Sequence, residues 1–306
     1  MKKHYLFISI ALVLAIVGLN YWTNATYYLT LLRLSYQGRQ FRQTYKYATL
    51  DIPFHPEMSP RLDVYLPRPD APPPKAGYPV LIFVHGGSWD SFHKEDFTPV
   101  AMQLLPKQMV VVIPDYTLYP EARYEQMTNE VAAAIGWTLE NIQQYGGDPK
   151  RVVVAGHSAG GHLVAMAILN PQFLRRYGHE ATELKGWVGV SGVYNIEAQY
   201  KVELAKGKDG QPMATVMGGQ ANFATASPST YVQPHLPRML LLHGGDDQTV
   251  QVEMAINFQA KLQAAEADSE LKIHPQVGHI DFLLQAALGQ PSPMVDDLCA
   301  FVLDDQ

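Results

Sequence analysis

Seven short apolar runs punctuate the chain beyond residue 60: Arg61–Leu66, Val80–Val84, Val110–Ile113, Arg151–Ala155, Gly186–Val190, Met239–Leu242 and Leu271–Val277. Several are continuous rather than alternating, which is the pattern of strands covered on both faces of a sheet. The segments between them have helical periodicity. In Tyr124–Tyr145, for example, Val131, Ile135, Leu139 and Ile142 recur at steps of three and four, and Gly146-Gly147-Asp148-Pro149 ends the pattern. Strand and helix in alternation predict an α/β fold with a mostly parallel central sheet and helices on both faces. Five prolines between residues 69 and 79 predict an extended surface connection. Residues 193–237 form the longest stretch without a strand pattern and are rich in Gly, Ala, Ser and Thr. Loops of that length are usually functional, so this one is read as a partly helical, cap-like insertion over the site.

The N-terminus has a different pattern. Lys2 and Lys3 precede an apolar run, and the 18 residues from Tyr5 to Trp22 would make about 27 Å of helix, close to the ~30 Å of a bilayer core. Residues 1–22 are therefore expected to be a membrane anchor. The alternative is a signal segment cleaved before secretion, although the best cleavage site, Thr23-Asn24-Ala25, departs from A-x-A. Lys2 and Lys3 favour a cytoplasmic N-terminus, whereas Arg33, Arg39 and Arg42 argue the reverse. The expectation is an anchored protein with its catalytic domain outside the cytoplasm. Residues 23–44 read as a linker or interfacial helix, with Tyr27, Tyr28, Leu31, Leu32 and Ser35 at helical spacing. A helix packed on the domain is the alternative. Residues 45–306 then form one catalytic domain.

Composition narrows the function. Of 306 residues 47% are hydrophobic and 17% charged, enough for a large core and unlike a disordered chain. The net charge of -6 gives no basic footprint for nucleic acid. A single cysteine, Cys299, excludes an internal disulfide framework and a cysteine-based zinc site. No H-E-x-x-H or comparable metal spacing occurs among the eleven histidines, and no cofactor is expected.

The chemistry concentrates in four places. Gly156-His157-Ser158-Ala159-Gly160 follows an apolar strand and opens a helix, the strand–turn–helix setting of a nucleophile elbow. Ser158 is the expected nucleophile. Val80–Val84 runs into His85-Gly86-Gly87-Ser88-Trp89, where glycines let backbone N–H groups approach a developing oxyanion. The expected donors are the N–H groups of Gly87, Ser88 and Ala159. His85 reads as a structural residue, and Trp89 as either a pocket wall or simple packing. His157 is a second candidate for the pocket lining. A third strand, Met239–Leu242, leads to Asp246 and Asp247, either of which could orient a base; the spacing H-G-x-x-D-x-x-V favours Asp247. Leu271–Val277 ends in Gly278-His279, and His279 is the expected base. His274, His157, His162, His93, His179 and His235 do not follow a strand after the acid. The order Ser158, Asp247, His279 is that of one hydrolase fold.

Together these residues resemble the α/β-hydrolase superfamily over about Arg61 to Leu284. HGGSW with GHSAGG is similar to the branch of kynurenine formamidases, prenylcysteine methylesterases and bacterial feruloyl or acetyl-xylan esterase-like proteins. Asp115-Tyr116-Thr117-Leu118-Tyr119-Pro120-Glu121 resembles the DYRLAPE segment of hormone-sensitive-lipase-like esterases, with Thr117 in place of arginine. The elbow here reads GHSAG where that group has GDSAG, and Ser88 replaces the third glycine of HGGG. Asp115 and Glu121 are expected to brace loops or to be plain surface charge. The resemblance implies an insertion after the sixth strand of the fold and a serine carboxylic-ester hydrolase acting on a small-molecule ester. An arylformamidase-like amidase and an inactive, membrane-tethered binding module are the alternatives.

Overall fold

The computed structural model describes residues 32–304 apart from 34 and 70–72. The apolar segment 1–22, and with it the anchor or signal reading, lies outside the described residues. Among the described residues no helix is long and apolar enough to cross a membrane.

Residues 35–44 form helix α1. Among the described residues eight strands follow: β1 (Ala48–Pro53), β2 (Arg61–Tyr65), β3 (Tyr78–Val84), β4 (Val110–Pro114), β5 (Gly147–His157), β6 (Gly186–Val190), β7 (Met239–Gly244) and β8 (Ser269–His274). They make one sheet in the order β1-β2-β4-β3-β5-β6-β7-β8. β2 runs antiparallel to β1 and β4, and the strands from β4 to β8 are mutually parallel. The other helices are α2 (Thr98–Leu104), α3 (Tyr124–Asn141), α4 (Ala159–Leu169), α5 (Gln172–Arg175), α6 (Ile196–Ala205), α7 (Gln211–Val216), α8 (Glu253–Ala264), α9 (Asp281–Ala287) and α10 (Pro293–Leu303).

Alternate side chains of each strand point to opposite faces, and both faces are buried. Val80, Ile82 and Val84 of β3 join Val152 and Val154 of β5 in a core with Met127, Val131 and Ile135 of α3 and Leu163 of α4. Leu81 and Phe83 join Val153 and Ala155 on the other face, against Val100 and Leu104 of α2 and Leu298 and Val302 of α10. The fully buried central strands account for the continuous apolar runs.

Three expectations need correction. β1 has no counterpart among the seven runs, because it is an edge strand in which half-buried and exposed residues alternate. β8 ends at His274, not Val277: Pro275 lacks the N–H that would continue the ladder. The C-terminal part of residues 23–44 is a helix packed on the domain, the alternative to a free linker. Arg42 Nε donates to Asp63 Oδ2 at 2.7 Å, and Phe41 packs on Tyr65 with ring centroids 6.0 Å apart. α1 is thus fastened to β2, and the globular unit begins before residue 45. The segment 193–237 follows β6 and contains α6 and α7.

Candidate active site

β3 and β5 are parallel neighbours, with Val84 opposite Gly156. The HGGSW loop and the elbow therefore leave the sheet side by side at its carboxyl edge, where open α/β sheets bind ligands. β7 and β8 end at the same edge and deliver Asp247 and His279.

At the elbow Ser158 has φ 54° and ψ -118°, a strained conformation for a non-glycine residue. Its N–H donates to Val190 O at 2.9 Å, which pins the turn to β6. The chain then enters α4 at once. A Cβ on Gly160 would overlap the carbonyl oxygens of Val84 and His85, and one on Gly156 would overlap Gly160 O. The outer glycines of the motif thus let α4 start against β3. Gly87, Ser88 and Trp89 have φ values of 120°, 51° and 66°, so the adjoining loop curls tightly. It passes against the elbow, since a Cβ on Gly86 would lie 3.1 Å from Ser158 Cβ.

Ser158 Oγ lies 2.9 Å from His279 Nε2, and His279 Nδ1 lies 2.7 Å from Asp247 Oδ2. The carboxylate can only accept, so Nδ1 carries the proton and Nε2 is left to accept from the hydroxyl. Asp247 Oδ1 accepts from the N–H groups of Thr249 and Val250 at 2.8 and 2.9 Å. Burial disfavours its charge, but the His279 hydrogen bond and the Val250 N–H outweigh that and hold its carboxyl below the usual range. Asp246, the other candidate, is exposed at the cavity mouth. The structure therefore brings together Ser158, Asp247 and His279, and Ser158 and His279 face one cavity of about 380 Å³ together with Gly87 and Ser88, with Asp247 buried behind. Ala159 is the first residue of α4, where N–H groups have no intrahelical partner. A hydroxyl so placed can be deprotonated as it attacks, with donors nearby for the resulting oxyanion.

Several neighbours support this arrangement, some in roles that the sequence did not reveal. His157 lines the cavity, but its Nε2 also donates to His279 O at 2.9 Å and its ring lies 4.8 Å from the His279 ring. It ties the elbow to the loop that carries His279. Asp281 Oδ2 accepts from Gly278 N at 2.6 Å and braces the same loop. Trp89 is both wall and packing. It is buried, its Nε1 donates to His162 Nδ1 at 3.2 Å, and it lines a second cavity with residues of the insertion. His162 Nε2 in turn donates to Ala226 O of that insertion at 2.8 Å. His85 is structural, stacked on Tyr116 with centroids 4.4 Å apart. Asp115 braces rather than decorates the surface: it accepts from Lys94 N at 2.8 Å and lies 3.5 Å from His85 Nε2. Glu121 is exposed.

These buried imidazoles predict acid sensitivity. Burial, and then the charge of His279, push His157 down to about 3; burial pushes His162 down to about 4. Both stay neutral in the fold while the unfolded chain binds their protons below about pH 6.5. The unfolded state then holds more protons, so stability falls as pH drops from about 6.5 towards about 4. At pH 5 each should cost about 2 kcal/mol. Melting temperatures recorded between about pH 7.5 and about pH 5 should fall, and His162→Gln, which can keep both hydrogen bonds, should flatten the slope. Equal slopes in the two proteins would contradict the assignment.

The BD-FAE family model matches residues 62–262, about two thirds of the chain. The chain belongs to the BD-FAE family. The probable isoprenylcysteine alpha-carbonyl methylesterase ICME of Oryza sativa subsp. japonica is 30% identical over 257 residues, covering 80% of this chain and 61% of that protein. Esterase LipC of Mycobacterium tuberculosis is 32% identical over 241 residues, covering 76% of this chain and 59% of that protein. The chain thus spans about 60% of the length of these curated relatives. Among solved structures, a thermophilic esterase of Thermogutta terrifontis superposes with a TM-score of 0.65 at 20% identity, covering 85% of this chain and 94% of that one. At that identity the likeness shows the α/β-hydrolase fold alone.

Proposed function

We propose that this chain is a serine carboxylic-ester hydrolase that works through an acyl-enzyme. The observation that carries the reading is the unbroken relay from Ser158 Oγ through His279 to Asp247, facing a cavity beside the Gly87–Ser88 loop. The similarity to a probable methylesterase and to an esterase supports it.

His279 Nε2 takes the Ser158 proton as Oγ attacks the ester carbonyl. The N–H groups of Gly87, Ser88 and Ala159 stabilise the oxyanion. His279 then protonates the departing alcohol oxygen, and a water activated by the same imidazole releases the acid. Asp247 fixes the His279 tautomer and stabilises the imidazolium. His157 and Asp281 hold the His279 loop so that Nε2 stays within reach of Oγ.

Parallel assays on p-nitrophenyl acetate and an aryl-formamide test the reaction class. Ester turnover should exceed formamide turnover by about 100-fold or more, because the amine is the poorer leaving group. A preference for the formamide would replace the reading with an amidase. Failure of a fluorophosphonate to label Ser158 would remove catalysis altogether.

A further inference from the structure

Ser158 lies at the junction of two cavities of different character. The larger, about 380 Å³, holds His279 and is walled by Phe92, Phe97, Ile280 and Leu283. The smaller, about 170 Å³, does not include His279. It is lined on one side by the insertion, through Val193, Met213 and Val216, and carries Glu203 and Lys208.

The chemistry assigns one half of an ester to each. When the tetrahedral intermediate collapses, the bond between the carbonyl carbon and the alcohol oxygen breaks, and that oxygen takes the proton from His279 Nε2. The oxygen must therefore lie within hydrogen-bond reach of Nε2. The alcohol then extends into the cavity that His279 lines. The acyl group stays bonded to Ser158 Oγ and points away from the imidazole, into the insertion-lined cavity. We infer that the site selects esters of a short acyl group with a bulky alcohol of ring size. The inference rests on the proposed ester hydrolysis and specifies its substrate class.

Size and charge both lead there. The alcohol-side cavity falls within the ~300–1,000 Å³ of small-molecule pockets, and the acyl-side cavity falls below it. Phe92, Phe97, Ile280 and Leu283 offer apolar surface to a ring, with Asp96 and Asp246 also on that cavity's wall. The acyl side has apolar walls too, but it carries an ion pair, with Lys208 Nζ 2.8 Å from Glu203 Oε2. Gln199 Nε2 donates to Glu203 Oε1 and to Thr249 O, each at 2.9 Å, and Gln199 is buried, so the carboxylate is held in place. An acyl chain long enough to reach this pair would strip water from two charges and return no hydrogen bond. Acyl length is thus limited by desolvation as well as by volume. The insertion acts as a specificity element through Glu203 and Lys208, which are 45 and 50 residues from Ser158 in sequence.

Two substrate series on the full chain test this. Along p-nitrophenyl acetate, butyrate, hexanoate and octanoate, kcat/KM should fall by about 100-fold from the best short ester to octanoate. Between ethyl acetate and cyclohexylmethyl acetate, whose alcohols are both primary, kcat/KM should rise by about tenfold or more with the ring. Phe92→Ala should shrink the advantage of the ring by about tenfold and leave the acyl series unchanged in slope, while Met213→Trp should steepen the acyl series and leave the alcohol ratio unchanged. Phe92 is partly exposed, so its variant tests the assignment even if the other fails to fold. A preference for octanoate, equal rates on the two acetates, or variants acting on the opposite series would overturn the inference. Fluorophosphonate labelling of Ser158 in the same preparation separates the two failures. Labelling with reversed preferences overturns this assignment alone, and no labelling overturns the ester-hydrolase reading with it.

Discussion

Ser158→Ala should lower kcat on p-nitrophenyl acetate by about 10⁶-fold, equivalent to about 8 kcal/mol of transition-state stabilisation. The size of the loss follows from what remains. Alanine keeps the elbow's backbone, so the donors at Gly87, Ser88 and Ala159 and both cavities persist, and those alone leave a residual ~10³–10⁴-fold over water. What disappears is the covalent path, since His279 Nε2 then has no hydroxyl 2.9 Å away to deprotonate. Substrate binding should change little. The check is steady-state kinetics beside fluorophosphonate labelling: the variant should be unlabelled and as stable to heating as the parent protein. A variant that retained most of its turnover would show that another group attacks the ester.

How much of the site is legible in the sequence depends on where the constraint lies. The elbow and the HGGSW loop were legible because their steric demands fall on contiguous residues. Gly156, Gly160 and Gly87 are glycines because of backbone approaches and a positive φ within a few positions of the chemistry. The choice between Asp246 and Asp247 was harder. Adjacent carboxylates share composition and spacing, and only the fold buries one against His279 and leaves the other in solvent. The tasks of His157 and His162 were not legible. Their partners, His279 O and Ala226 O, lie 122 and 64 residues away, and nothing local marks either contact. β1 leaves no apolar run in the sequence because an edge strand needs none. The apolar run continues past the end of β8 because Val277 is buried in the loop that follows, and burial there gives the same apolar signal as a strand.

Asp247→Asn should lower kcat by about 10⁴-fold with the geometry of the site intact. The hydrogen bonds around the side chain dictate how the amide must sit. Oδ1 accepts from both Thr249 N and Val250 N, two donors fixed by the backbone, so the asparagine oxygen has to occupy that place. Its NH₂ group then faces His279 Nδ1, where the carboxylate accepted at 2.7 Å. Two donors cannot share that contact, so Nδ1 must become the acceptor and the imidazole proton moves to Nε2. Nε2 is the atom that faces Ser158 Oγ, so the base is turned into a donor and can no longer take the serine proton. The reverse orientation of the amide fares no better, because it sets NH₂ against two backbone N–H groups in a buried site and costs about 1–3 kcal/mol of stability. Asp246→Asn is the control. Asp246 is exposed at the cavity mouth and its carboxylate does not face His279, so its loss should leave kcat within about twofold of the parent. If the large loss followed Asp246→Asn instead, the relay would have to be rebuilt around that residue. If neither substitution mattered, His279 would be working without an orienting carboxylate, and the 2.7 Å contact would have no part in catalysis.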